Sequence, residues 1–123
     1  MIDVLVALHT ITAWALLAYA LVLAVWGTYL YFRKAAVTGG FRSGFLIMTG
    51  LAPVQGLFGA ALLLAGNRPA DWPLHIVYGI FAVLFLPGLY FYAHGGSRSR
   101  EAVFLAGACW VVAVAYFRGI STG

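Results

Sequence analysis

Four long apolar segments are the feature of this sequence that most restricts its fold. They cover about residues 4–32, 44–65, 74–93 and 101–117. A membrane-spanning helix needs about 20 apolar residues at a rise of about 1.5 Å each, so four spans use nearly the whole chain. Of its 123 residues, 64% are hydrophobic and only 8% are charged, which a water-soluble domain of this size cannot bury. We expect one integral membrane domain over residues 1–123, with no separate catalytic domain.

The connections between the segments are short and carry residues that interrupt helices. Gly39-Gly40 predicts a turn after the first segment, and a glycine at position 66 followed by Pro69 predicts the end of the second. Ser99 is predicted to cap the fourth helix. Helices joined by short connections pack as antiparallel neighbours. The expected fold class is therefore all-α, a four-transmembrane-helix up-down-up-down bundle.

The basic residues lie between the segments and predict how the bundle is oriented. The first and third connections carry five of them: Arg33, Lys34, Arg42, Arg98 and Arg100. The opposite side carries only Arg68 and Arg118. The positive-inside bias therefore predicts a prokaryotic inner or plasma membrane protein with both termini outside. The formal charge of +4 comes from these flanking residues, so we expect no nucleic-acid partner.

Two histidines occupy equivalent positions in the first and third segments. His9 and His75 each follow a leucine, and each lies four residues before a small residue, Ala13 and Gly79 respectively. If the first and third helices run parallel, both imidazoles lie at about the same depth. Ionisable groups within a span tend to face the bundle interior and to serve a function. The pair is a candidate set of axial ligands for one haem iron. The alternatives are structural histidines, another metal site or a proton relay.

Small residues recur at helical spacing around these positions. Beside a ligand they leave space for a flat macrocycle, and Ala13 and Gly79 are predicted to line the cofactor site in this way. The same residues would also let helices pack closely without any cofactor. The stripes comprise Ala20, Ala24 and Gly27 on the first helix, Ala52, Gly56 and Ala60 on the second, Ala82 on the third, and Ala102, Ala106, Cys109 and Ala113 on the fourth.

Four further residues are candidates for the cofactor site. Gln55 is the only amide within a span and needs a polar partner, for which a hydrogen bond to a neighbouring helix is favoured over a cofactor or quinone. Arg68 and Arg118 lie on the same side as the histidines and could pair with haem propionates or anchor the helices at the interface. Trp72 is predicted to be an interface anchor, or a lid over the edge of the haem.

The remaining residues with chemical potential are expected to be structural. The single cysteine, Cys109, excludes an intrachain disulfide and a thiolate-rich metal site. No Cys-x-x-Cys-His motif is present, so any haem would be non-covalent haem b. His94 lies about 28 Å along a helix from His75 and is expected to be a solvated loop residue. Met48 is expected to pack in the interior.

A short run shared by the second and third segments resembles a known family. Residues 55–60 (QGLFGA), a short loop and the Leu-His pair at 74–75 look like one half of the haem A synthase family. The resemblance covers about the first three helices. It implies a four-helix haem-binding bundle in which His9 and His75 are the ligands toward the outer membrane face. The chain has no glutamate near His9 like the acidic residue of the family's catalytic half, so the resemblance implies a haem-b bundle and not the synthase activity.

These observations together predict a small membrane b-type cytochrome subunit. It would carry one bis-histidine haem near the outer face and transfer electrons within a larger respiratory or photosynthetic complex. Its partners would be membrane lipid and other membrane subunits, and it would contain no catalytic residues of its own. The alternative is a cofactor-free accessory or assembly subunit whose small-residue stripes dock it against larger membrane proteins.

Overall fold

The protein is a bundle of four helices in a computed structural model that describes residues 2–68, 72–93 and 97–122. Helix α1 covers Ile2–Phe32, α2 Gly39–Leu64, α3 Trp72–Ala93 and α4 Arg98–Thr122. All four are long and apolar enough to cross a membrane. The predicted all-α four-helix bundle is therefore confirmed. Asp71 and His94 lie outside the described residues.

Each helix packs against two neighbours, so α1 and α3 lie diagonally across the bundle. The interface between α1 and α4 is the most extensive, and that between α2 and α3 is the smallest. We name the two ends of the bundle by their residues. The histidine end is formed by Ile2, Leu64, Trp72 and Thr122, and the arginine end by Phe32, Gly39, Ala93 and Arg98. Because successive helices alternate in direction, the starts of α1 and α3 both lie at the histidine end.

Helix α2 begins earlier than the sequence predicts. Thr38 is its N-cap, and its side-chain oxygen accepts a hydrogen bond from the backbone N–H of Phe41 at 3.1 Å. Capping satisfies one of the N–H groups that a helix start leaves without a partner. The helix therefore includes Gly39 and Gly40, and the prediction of a turn at this pair is wrong.

The end of α2 follows the predicted glycine signal. Gly66 has a φ of +88°, a left-handed conformation that glycine adopts without a Cβ clash. The backbone N–H of Gly66 bonds to the carbonyl of Leu63 at 3.0 Å, and that of Asn67 bonds to the carbonyl of Leu62 at 2.9 Å. These two bonds close the last turn of the helix.

Helix α4 also differs from its predicted bounds. The hydroxyl oxygen of Ser97 accepts a hydrogen bond from the backbone N–H of Arg100 at 3.1 Å. Ser97 therefore caps the helix, and the prediction of Ser99 as the cap is wrong, because Ser99 already lies within the first turn. The helix continues to Thr122, about one turn beyond the predicted end.

The buried core is concentrated in the half of the bundle nearer the arginine end. It contains large side chains from all four helices, including Leu16, Phe41, Phe45, Leu86 and Leu105. Cys109 and Met48 are also fully buried there, in line with their expected packing roles. The core is thus built mostly from residues that lie far from the histidine end.

The small-residue stripes of α1 and α4 pack directly against each other. All members of these two stripes from Ala20 onward are buried. A Cβ added at Gly27 would lie 2.9 Å from the Cβ of Ala106. On α2 the predicted stripe is only partly correct, since Ala52 is buried but Gly56 and Ala60 are exposed. Close packing of α1 on α4 is therefore the structural role of the longest stripes.

A bidentate ion pair links the two helices that lie on the other diagonal. The Nε and Nη2 atoms of Arg42 on α2 donate to the Glu101 carboxylate on α4 at 2.8 and 2.6 Å. Glu101 is only 12% exposed, whereas Arg42 is 40% exposed. This pair fastens the arginine end of the bundle, and the sequence did not predict it.

Candidate cofactor site at the histidine end

The two histidines singled out by the sequence lie next to each other across the bundle. The ring centroids of His9 on α1 and His75 on α3 are 5.9 Å apart, and the ring planes are inclined by 58°. Both side chains are half-buried. The parallel course of the diagonal helices brings the two rings to the same depth, as the matching positions in the sequence suggested.

His75 is held by a backbone carbonyl at the end of α4. Its Nδ1 lies 2.8 Å from the carbonyl oxygen of Gly119. A carbonyl oxygen can only accept, so Nδ1 carries the hydrogen and donates it. In a neutral imidazole the lone pair then resides on Nε2. A carbonyl on the second ring nitrogen is the usual arrangement that orients a metal-binding histidine and raises its basicity.

The ring of His9 is held by close packing against α2, without a comparable hydrogen bond. A Cβ added at Gly59 would lie 3.0 Å from Cε1 of His9, so this edge of the ring is in tight contact with α2. Its Nδ1 is buried and has no hydrogen-bond partner. The bond to the Gly119 carbonyl fixes the tautomer of His75. No hydrogen bond at Nδ1 fixes the tautomer of His9 in the same way.

Gln55 fastens α2 to the backbone of α1 at the same level. Its Nε2 donates to the backbone carbonyl of His9 at 2.8 Å. This bond is the helix-to-helix contact that the sequence favoured for the only amide within a span. The other side-chain atom, Oε1, is buried and has no partner. Gln55 thus positions the helix that carries His9 and leaves one buried acceptor beside it.

Buried polar atoms without partners are concentrated around the histidine pair. Within the described part of the chain, the buried side-chain nitrogen and oxygen atoms that lack a partner are His9 Nδ1, Gln55 Oε1 and the Tyr116 hydroxyl. Tyr116 lies one turn before Gly119 on α4, so all three belong to the histidine half of the bundle. An unpartnered buried polar group costs about 1–3 kcal/mol, and most native proteins avoid it. Two of the three atoms, His9 Nδ1 and Gln55 Oε1, belong to residues that are in contact with each other.

The histidine end contains few buried residues. No described residue among 2–15 of α1 or 72–81 of α3 is buried. Beyond Ala52 on α2 only Leu62 is buried, and beyond Ala115 on α4 only Thr122. The half-buried rings therefore lie past the end of the buried core.

The predicted propionate partners lie near the site but contact aromatic rings. The guanidinium carbon of Arg68 is 5.6 Å from the centroid of the Trp72 ring. That of Arg118 is 6.0 Å from the centroid of the Tyr78 ring, one turn from His75. Both arginines are exposed, and Trp72 is 46% exposed at the start of α3. Cation–π contacts of this kind suit residues at a membrane interface.

The two small residues predicted beside the histidines differ in their surroundings. Ala13 is half-buried one turn beyond His9. Gly79 is exposed, and a Cβ added there would meet nothing within 4 Å. Ala82, which lies closer to the face of His75 on the helix, is 2% exposed and packs inward. Gly79 is therefore not part of a packed wall beside His75.

The residues present fit a haem better than a metal ion held by protein ligands alone. The described residues contain no group of three or more histidine, cysteine, aspartate or glutamate side chains that could hold a metal ion. A haem iron needs only two protein ligands. Two metal–nitrogen bonds of about 2 Å place the centroids of opposed imidazoles about 6 Å apart, which agrees with the observed 5.9 Å. The Nε2 of His75, opposite the nitrogen that bonds to Gly119, agrees with the same ligand.

Three contributions to the site were not predicted from the sequence. Gly59 was noted only as part of the run at residues 55–60, although its position four residues after Gln55 places both on one face of α2. The Gly119 carbonyl could not be foreseen, because a backbone acceptor carries no side-chain signal. Tyr116 could not be distinguished in the sequence from the tyrosines that commonly lie at a membrane interface.

The fold and the site together define a four-helix membrane bundle with a histidine pair inside one end. Comparisons with protein-family models, with curated proteins and with solved structures give no match to the chain. The function is therefore argued from the geometry of the site.

Proposed function

We propose that this protein is a small membrane b-type cytochrome in which His9 and His75 are the axial ligands of one non-covalent haem b. The single observation that carries the proposal is the separation of 5.9 Å between two imidazole rings on diagonal helices. The Nδ1–H of His75, bonded to the Gly119 carbonyl, supports it because this leaves Nε2 as the ligand atom.

Electron transfer is the chemistry that this ligand set favours. Haem iron with two imidazole ligands supplies one-electron exchange and leaves no open position for a substrate. The surrounding residues supply apolar burial, and the Gly119 carbonyl orients the ring of His75. Arg68 and Arg118 are the cations near the site that would offset the negative charge of the propionates. Trp72 would cover the exposed edge beside Arg68.

The proposed setting is the inner or plasma membrane of a prokaryote, with the histidine end outside. The excess of basic residues at the arginine end supports this orientation through the positive-inside bias. The helices expose many large apolar side chains, including Ile11, Val22, Leu57 and Leu84, to their surroundings. Lipid covers such surfaces, and we propose that membrane subunits of a larger respiratory or photosynthetic complex cover part of them.

The resemblance to one half of the haem A synthase family enters the proposal at three positions. His9 and His75 would be the ligand positions of that half, and Gln55 would match its second helix. The Nε2 of Gln55 donates to the backbone carbonyl of His9, so two of these three residues are in contact. We propose the haem-binding architecture for this chain and not the synthase reaction.

Visible spectroscopy of the detergent-purified protein tests this function. The reduced-minus-oxidised spectrum should show the bands of a low-spin b-type haem in the wild type. His9→Ala and His75→Ala should each abolish the low-spin bands, because each removes one axial ligand. The matched control is His94→Ala, which changes the third histidine of the chain and should keep them. Low-spin bands that persist in either of the first two variants would refute the ligand assignment.

The rival function is a cofactor-free accessory subunit, and one observation favours it. The stripe residues Gly56 and Ala60 of α2 are exposed, so this part of the α2 stripe is available for close packing against another membrane protein. The rival predicts no haem bands in the wild type and no difference between the three histidine variants. The same spectra therefore decide between the two functions.

A further inference from the structure

The two histidines differ in how the protein holds their rings. His75 donates its Nδ1–H to the Gly119 carbonyl at 2.8 Å, whereas the Nδ1 of His9 is buried without a partner. The backbone of His9 is fastened by Gln55, but that bond acts on the helix and not on the imidazole. The protein therefore holds the two imidazole rings differently, although the two histidines have similar positions in the sequence.

The Gly119 carbonyl that accepts the hydrogen bond from His75 lies among the backbone carbonyls at the C-terminal end of α4. Gly119 lies in the last turn of α4, where carbonyl groups have no N–H partner further along the helix. The negative end of the helix dipole lies at the same place. The Oγ1 of Thr122 lies 2.9 Å from the carbonyl oxygen of Arg118, 3.2 Å from that of Gly119 and 3.5 Å from Nδ1 of His75, so its single hydroxyl hydrogen bonds within this group of acceptors. An N–H that donates to such an acceptor makes the opposite nitrogen of the ring more electron-rich.

We propose that His75 is the fixed ligand of the site and His9 the exchangeable one, an inference that rests on the proposed function. His75 has one tautomer, with Nε2 prepared as a donor. His9 has no bond at Nδ1 that selects its tautomer, since this atom is buried without a hydrogen-bond partner. A small neutral nitrogen base such as imidazole is therefore expected to replace His9 and not His75.

Haem retention in two matched variants tests this asymmetry. His9→Gly and His75→Gly each remove one imidazole, and both proteins are purified with the same haem supply. His9→Gly should retain at least five times more haem per protein than His75→Gly, in a high-spin form. Added imidazole should restore the low-spin bands in His9→Gly at concentrations that do not restore them in His75→Gly. Size-exclusion chromatography of both variants in detergent verifies that they are folded.

A measurement on the wild type keeps the inference testable if a variant does not fold. The ¹⁵N chemical shifts of the haem-free protein report the tautomer of each histidine, and His75 should be the Nδ1–H form. The inference is overturned if His75 is found in the Nε2–H form. It is also overturned if the two variants retain equal amounts of haem and are rescued equally by imidazole. Neither result contradicts the proposed function, provided that the wild type shows haem bands. Absence of haem bands from the wild type would overturn the proposed function and this inference together.

Discussion

Gly27 offers the sharpest test of how the bundle is held together. It is buried where α1 packs against α4, and an added Cβ would lie 2.9 Å from the Cβ of Ala106. The same Cβ would lie 3.0 and 3.1 Å from two ring atoms of Phe41. Ala106 and Phe41 are themselves buried, at 5% and 0% exposure, so neither can turn aside. Gly27→Ala should therefore push α1 away from its neighbours.

The magnitude follows from the displacement that an ordinary contact requires. Ordinary van der Waals contact begins at 3.4 Å, so the distance to Ala106 must grow from 2.9 Å by about 0.5 Å. Overpacking of this kind costs about 1–3 kcal/mol. Alanine also favours a helix over glycine by about 1 kcal/mol, which would mask part of the cost. Gly107→Ala is the matched control, because Gly107 lies within α4 and its added Cβ meets nothing within 4 Å.

The assay is unfolding of the purified protein in detergent, followed by circular dichroism. We expect the free energy of unfolding of Gly27→Ala to be about 1–3 kcal/mol below that of Gly107→Ala. Adding Ala106→Gly to Gly27→Ala should recover part of the loss, because it removes one of the colliding atoms. If the two single variants agree within about 0.5 kcal/mol, the inferred close packing of α1 on α4 is wrong.

Two further substitutions test the two ends of the bundle. Glu101→Gln should lower the free energy of unfolding by about 1–2 kcal/mol because it removes the charge that Arg42 pairs with. In the double variant, Arg42→Gln should add little further loss. If the losses of the two single variants simply add in a double-mutant cycle, the pairing is contradicted. Gly59→Ala should displace the His9 ring by a few tenths of an ångström and reduce the low-spin haem bands by at least half. The control is Gly50→Ala on the same helix, which should leave the bands unchanged because its added Cβ meets nothing within 4 Å. Equal spectra of the two variants would show that His9 tolerates the displacement.

Local signals in the sequence were sufficient for the fold class. Four apolar segments of spanning length, separated by short connections, leave a bundle of antiparallel helices as the only economical arrangement. The sequence also predicted the end of α2 at Gly66, because glycine readily adopts the left-handed conformation that ends a helix. The helix starts were less certain, since Thr38 and Ser97 compete with other turn-forming residues a few positions away.

The sequence also determined which residues belong at one end of the bundle. His9 and His75 each lie a few residues inside the same end of two parallel helices, so the sequence placed them at about the same depth. Sequence could not decide how far each helix turns about its own axis, and that rotation decides which residues face inward. Gly79 and the stripe residue Gly56 were expected inside for this reason, and both are exposed.

Tertiary structure alone decided what holds each histidine. The Gly119 carbonyl lies 44 positions from His75 in the sequence, and Gln55 lies 46 positions from His9. Contacts over such separations depend on helix tilt, rotation and register, which are set by the packing of all four helices together. Residue types and their spacing thus determined the spans and the level of the histidine pair, while the packed bundle made one ring fixed and left the other without a hydrogen-bond partner.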